Sequence, residues 1–140
     1  MSIAVDTSVL VAAMVADEPH HAMCAALLDR ADVHFYSHGV LEAFSTLTGG
    51  RRAFRLPASL VAEMLTEDFL PSLRIVAVPP SEMSRHLKKT ETYGVRGGSI
   101  FDYMHLVAAK KSGASRFYTL NLSHFRAIAR DGDPEILLPS

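Results

Sequence analysis

Five short, largely apolar runs punctuate this chain, and stretches of helical periodicity fill the intervals between them. The runs are Ser2–Val5, Val33–Tyr36, Leu73–Val78, Arg116–Leu120 and Glu135–Leu138. None shows the clean apolar–polar alternation of a strand with one wet face, so each reads as a strand covered on both sides. Strands of that kind, separated by helices, call for a parallel sheet with helices packed against both faces.

The intervals supply those helices. Thr7-Ser8 can cap an apolar helix over Val9–Val15. Met23, Ala26 and Leu27 share one face of a helix over Ala22–Arg30, and Val40, Phe44 and Leu47 do so over His38–Thr48, which Gly49-Gly50 ends. Pro57 opens a helix whose apolar face is Leu60, Val61, Met64, Leu65 and Phe69, with Pro71 beyond its end. A more polar helix spans Ser81–Thr92. After the glycine-rich loop Gly94–Gly98, further helices cover Ser99–Lys111 and Ser123–Arg130. The expectation is one α/β domain over residues 1–140, layered α/β/α around a central parallel sheet of four to five strands.

Composition agrees with that frame. A chain of 140 residues with 49% apolar and 21% charged side chains can bury one core and is not of disordered type. Fourteen basic against fifteen acidic residues argue against a general DNA-coating protein, while leaving room for a local basic patch that steers a polyanion. Cys24 is the sole cysteine, so neither an internal disulfide nor a cysteine-rich zinc site is available, which suits a reducing cytoplasm. The apolar run Ile3–Ala16 is interrupted by Asp6 and Ser8 and is too short to span a bilayer; it reads as buried strand and helix, with no membrane anchor.

In an open parallel sheet, ligands bind outside the carboxyl ends of the strands, where the strand order reverses. Asp6 ends the first strand, Glu42 lies in the first turns of the helix after the second, and Asp102 lies in the first turn of the helix before the fourth. If the first strand is central, the three can converge there. Each also has an ordinary reading. Asp6 can be a turn or cap residue, Glu42 a solvated helix position, and Asp102 the last member of a capping box Ser99-Ile100-Phe101-Asp102. All three, however, interrupt apolar or small-residue segments, where an ionised carboxylate loses solvation and needs a partner. Two like charges roughly 4 Å apart repel by about 4 kcal/mol at an effective dielectric near 20. No basic residue lies within a few positions of Asp6 or Glu42. A hard divalent cation, Mg²⁺ or in its place Mn²⁺, matches an all-oxygen donor set, and its chemistry is phosphodiester hydrolysis.

Four segments carry a family resemblance. Val5-Asp6-Thr7-Ser8-Val9-Leu10 resembles the N-terminal signature of PIN-domain ribonucleases. Leu41-Glu42-Ala43 with Leu47-Thr48-Gly49 resembles their second acidic motif, and Phe101-Asp102-Tyr103-Met104-His105-Leu106-Val107-Ala108-Ala109 their third. Thr119-Leu120-Asn121-Leu122-Ser123-His124-Phe125 resembles the segment that closes the site. Their order across essentially the whole chain is similar to that of the VapC toxins of prokaryotic toxin–antitoxin pairs. The resemblance implies a Mg²⁺-dependent endoribonuclease, dimeric and neutralised by a cognate antitoxin protein. It implies Asp6 and Asp102 as metal ligands, Glu42 as the third member, directly or through water, and Ser8 and Asn121 as polar neighbours that orient ligands or water. The fourth motif departs from many members, which place a further acidic residue where this chain offers Asn121 and His124.

Arg51-Arg52-Ala53-Phe54-Arg55 follows the Glu42 helix, and cations beside an aromatic ring suit RNA phosphates and a stacked base; a solvated turn is the plainer alternative. Arg96 is a further candidate phosphate contact. Seven histidines form no HExxH or Cys/His array, and Gly94-Val95-Arg96-Gly97-Gly98 lacks the lysine of a phosphate-binding loop. Two other readings stand beside the ribonuclease. One is a catalytically silent PIN domain that binds RNA or acts as a scaffold. The other is a phosphatase with Asp6 as nucleophile, disfavoured because Asp6-Thr7-Ser8 lacks a second aspartate two residues on.

Overall fold

The computed structural model describes residues 2–30, 32–49 and 55–140. Five strands, β1 (Ser2–Val5), β2 (Asp32–Tyr36), β3 (Leu73–Val76), β4 (Arg116–Tyr118) and β5 (Glu135–Leu137), form a single sheet in the order β3-β2-β1-β4-β5. Every neighbouring pair is parallel. Strand β1 is therefore central, and the order reverses on either side of it.

Among the described residues, seven α-helices cover the sheet: α1 (Thr7–Met14), α2 (His21–Arg30), α3 (Ser37–Thr48), α4 (Ala58–Glu63), α5 (Pro80–Leu87), α6 (Ser99–Ser112) and α7 (Leu122–Ile128). Side chains alternate across each strand, so the sheet feeds two cores. Ile3, Val5, Val33 and Phe35 point to one side, packing with α1, α2, α3 and α4 through residues such as Leu10, Leu27, Leu47 and Val61. Ala4, Tyr36 and Phe117 point to the other, against α6 and α7 through Leu106, Val107 and Phe125. This is the three-layer α/β/α arrangement with a parallel sheet, at the upper strand count expected.

Several local expectations are corrected. Helix α1 begins at Thr7, and its cap is Asp6, whose side chain accepts from the Val9 amide; Thr7 and Ser8 are helical residues. A carboxylate reaches the exposed first-turn amides better than the hydroxyls that follow it, because it stands at the strand end with extended backbone. The helix expected up to Phe69 is α-helical only to Glu63. It widens to a π turn over Met64–Phe69, closed by Leu70 N donating to Leu65 O, and ends as a 3-10 turn at Leu70–Ser72. Of its expected apolar face, Val61 and Leu65 are buried but Leu60 is exposed. Helix α5 stops at Leu87, and a separate 3-10 turn covers Glu91–Tyr93. Among the described residues, no helix is long and apolar enough to cross a membrane.

Candidate active site

At the carboxyl end of the sheet, beside β1, a cavity of about 410 Å³ opens to solvent. Its walls include Asp6, Ser8, Glu42, Asp102 and Asn121, all five singled out from the sequence, and also Glu18 and His105. Four carboxylates thus border one space, and among the described residues that line it none is a lysine or arginine.

Asp6 is the most enclosed, at 3% exposure. Its Oδ1 accepts from Ser8 Oγ at 2.6 Å and the Val9 amide at 3.3 Å, and its Oδ2 accepts from Thr119 Oγ1 at 2.8 Å. Burial nevertheless pushes the Asp6 carboxyl above the usual aspartate range, against the pull of Ser8, His105, Thr119 and Val9. Ser8 Oγ also accepts from the Leu120 amide, and Thr119 Oγ1 from the Asn121 amide, so the two hydroxyls tie the end of β1 to the segment after β4. The capping reading of Asp6 holds, and the same carboxylate that starts the helix also faces the cavity.

Glu42 projects from α3 and takes two donors on the same oxygen. Its Oε1 lies 2.8 Å from His105 Nε2 and accepts from Thr7 Oγ1 at 3.3 Å. Half-burial raises the Glu42 carboxyl, but the His105 hydrogen bond, the attraction of His105 and His38, and the Thr7 hydroxyl together bring it below the ordinary glutamate value. Asp102 differs. Among the described residues its carboxylate has no hydrogen-bond partner, and burial first, then the negative charges of Asp6 and Glu42, hold it above the usual range despite His105 and His124. The capping box expected around it is not formed. Ser99 Oγ instead accepts from the Arg96 amide and donates to the Arg96 carbonyl, and α6 starts from Gly98 without a side-chain cap.

Asn121 lines the cavity, whereas His124 lies in a neighbouring hollow with Ser123 and Arg126. Arg55 and Arg96 are exposed and outside the cavity wall; Arg51 and Arg52 fall outside the described residues. A second hollow, of about 420 Å³, shares Glu42 and Thr46 with the first and carries the stacked rings of His38 and Phe101.

Three participants had no assigned role from sequence. Thr119 was visible only as part of a motif. Glu18, in the turn between α1 and α2, looks in sequence like surface loop. His105 had a signal: it stands three residues after Asp102, hence on the same helix face, as the one histidine within the buried stretch Tyr103–Ala109.

The donor set fits a hard divalent cation. Its charged atoms are carboxylate oxygens, and the Asp102 carboxyl is raised by burial and then by its like-charged neighbours Asp6 and Glu42. Among the described residues, no three His, Cys, Asp or Glu side chains stand together as a group that could hold a metal ion, so a cation here would bind through one or two carboxylates and keep several waters.

The architecture and the acidic crevice together define a class, and comparison with known proteins agrees. The PIN domain profile matches residues 3–131, and the chain belongs to the PIN-domain family. Within it the chain is similar to VapC-type members: it is 30% identical over 112 residues, 80% of each chain, to the protein named Ribonuclease VapC27 of Mycobacterium tuberculosis. Its fold is similar to that of M. tuberculosis VapC20, a sarcin–ricin-loop-cleaving toxin (TM-score 0.69, 20% identity, 94% of this chain and 99% of that one). It is similar also to VapBC2 of Rickettsia felis bound to a promoter DNA fragment (0.68, 15%, all of both chains). FitAcB of Neisseria gonorrhoeae shares the fold as well (0.65, 19%, 98% and 97%).

Proposed function

We propose that this chain is a divalent-metal-dependent endoribonuclease, the toxin of a type II toxin–antitoxin pair, with Asp6, Glu42 and Asp102 at its centre. The observation that carries this reading is the cavity beside the central strand, bordered by the Asp6, Glu42 and Asp102 carboxylates, with no lysine or arginine among its described lining residues. The name of its 30%-identical relative, a ribonuclease, supplies the reaction class.

In this reading Asp6 and Asp102 hold Mg²⁺, which Mn²⁺ can replace, and Glu42 completes the set directly or through water. When bound, the cation supplies Lewis acidity toward the phosphodiester and a nucleophilic water at neutral pH. The chain's own contribution is preorganisation. Ser8, Thr119 and the Val9 amide keep the Asp6 carboxylate in place, and the Thr7 hydroxyl donates to Glu42. Asn121 offers a neutral amide to the same space. Arg55 and Arg96, with Arg51 and Arg52 adjoining Arg55 in sequence, are candidates for RNA phosphates beyond the cavity. A cognate antitoxin would neutralise the toxin, as the complexed state of structural neighbours suggests; a homodimer acting in the cytoplasm completes the proposal.

Asp6→Asn and Asp102→Asn test it. Each is expected to retain the far-ultraviolet circular dichroism of the parent and to lower the Mg²⁺-dependent cleavage rate of a structured RNA by at least about a hundredfold, the scale of losing a preorganised electrostatic contact. Near-parental turnover in either variant would reject the site. The silent-domain alternative is favoured only by the neutral Asn121. Calorimetric titration of the parent protein with Mn²⁺ separates the two, since a silent domain requires no metal.

A further inference from the structure

We propose that His105 is a positioning residue that fixes the Glu42 carboxylate for cation binding, and that Gly39 is the residue that makes room for it. This inference rests on the acidic-site reading above and assigns a role to a side chain that reading does not use.

A glutamate on a helix has several rotamers within reach of solvent, and Glu42 retains 26% side-chain exposure. What holds it is a pair of donors from two other elements. Thr7 Oγ1, in the first turn of α1, and His105 Nε2, in α6, are 3.2 Å apart and both address Oε1. Among the described residues nothing hydrogen-bonds Oε2, so one oxygen is anchored and the other is left for a ligand. A carboxylate only accepts, so the hydrogen shared with Glu42 sits on Nε2 of the imidazole.

Packing alone does not account for a histidine here. His105 is 2% exposed, within a buried apolar run, and its Nδ1 has no hydrogen-bond partner among the described residues. An aliphatic side chain would fill the position without stranding a ring nitrogen away from water. The Nε2 contact is the return for that penalty. The ring is also aimed: Tyr36 meets it edge-on at 5.4 Å between centroids and Phe35 at 5.8 Å. At Gly39, one turn before Glu42 on α3, an added Cβ would stand 2.8 Å from His105 Cε1 and 2.5 Å from Phe35 Cζ. The absent side chain is therefore what lets the imidazole lie against α3 and reach Glu42.

The test compares His105→Gln, His105→Asn and His105→Leu in the full chain, by calorimetric Mn²⁺ titration without RNA and by thermal melting. A glutamine amide nitrogen reaches the place of Nε2, an asparagine nitrogen that of Nδ1, and leucine supplies packing only. Removal of an orienting partner typically costs about 10–100-fold in metal affinity. The expected result is that His105→Leu and His105→Asn weaken Mn²⁺ binding by about tenfold or more while His105→Gln stays within about threefold of the parent. In a Glu42→Ala background, His105→Leu should have no further effect, because the orienting contact is already gone. Leucine binding Mn²⁺ as tightly as histidine, or glutamine failing as leucine does, would overturn the proposal while leaving the acidic site intact. A parent protein that binds no Mn²⁺ would overturn the ribonuclease reading, and this inference with it.

Discussion

Gly39→Ala is the substitution for which helix propensity and tertiary packing give opposite answers. Gly39 lies inside α3, where alanine is favoured over glycine by about 1 kcal/mol. The structure places three ring atoms within the space a methyl would need: Phe35 Cζ at 2.5 Å, His105 Cε1 at 2.8 Å and Phe35 Cε2 at 2.9 Å. Neither ring can swing outward. Phe35 is 1% exposed and pairs in register with Val5 of the central strand, while His105 is 2% exposed and tied to Glu42. Overpacking of a rigid core commonly costs about 1–3 kcal/mol; with three contacts under 3.0 Å the upper part of that range, about 2–3 kcal/mol, applies, so after the propensity gain a net destabilisation of about 1–2 kcal/mol is expected. For a domain of this size that corresponds to a melting temperature lower by about 3–8 °C. Urea denaturation followed by circular dichroism should show a lower midpoint with an unchanged slope. Because the clash is partly with His105, Gly39→Ala combined with His105→Ala should be less damaging than the sum of the two. A Gly39→Ala protein as stable as the parent, or more so, would refute the steric argument.

Two further outcomes follow from the site. Thr119→Val removes the hydroxyl that donates to Asp6 Oδ2 and accepts from the Asn121 amide, leaving buried groups unpaired. It should lower the unfolding free energy by about 1–3 kcal/mol in urea titrations, and an unchanged midpoint would contradict the role given to that hydroxyl. In metal-free buffer, Asp102→Asn should stabilise the protein near neutral pH. The folded-state pKa of Asp102 is raised above its unfolded value by burial and by the charges of Asp6 and Glu42, so its ionisation penalises the fold above that pKa. Acidification through the raised pKa toward the ordinary aspartate value relieves the penalty, so the advantage of Asp102→Asn should shrink across that window. An advantage constant with pH would exclude the electrostatic cause.

The fold was readable because its determinants are local and periodic. Unalternating strands spaced by helices require a sheet covered on both faces, and the observed layers follow that pattern. Errors fell where one residue serves two elements or where backbone geometry departs from a single period. Thr7 and Ser8 look like caps because their hydroxyls suit the task, yet the carboxylate at the strand end performs it. The π turn at Met64–Phe69 leaves no mark on an apolar spacing that a plain helix would equally satisfy.

Sequence by itself determined that Asp6, Glu42 and Asp102 were costly charges in apolar surroundings, each at an element boundary on the carboxyl side of a strand or at the start of a helix. Only the tertiary structure decided that they share one cavity, since that depends on β1 lying between β2 and β4. It also decided which neutral groups serve them. Thr119 lies 113 residues from Asp6, and His105 lies 63 from Glu42. A hydrogen bond between side chains so far apart along the chain has no periodicity to announce it, because chain folding, not local spacing, brings donor and acceptor together.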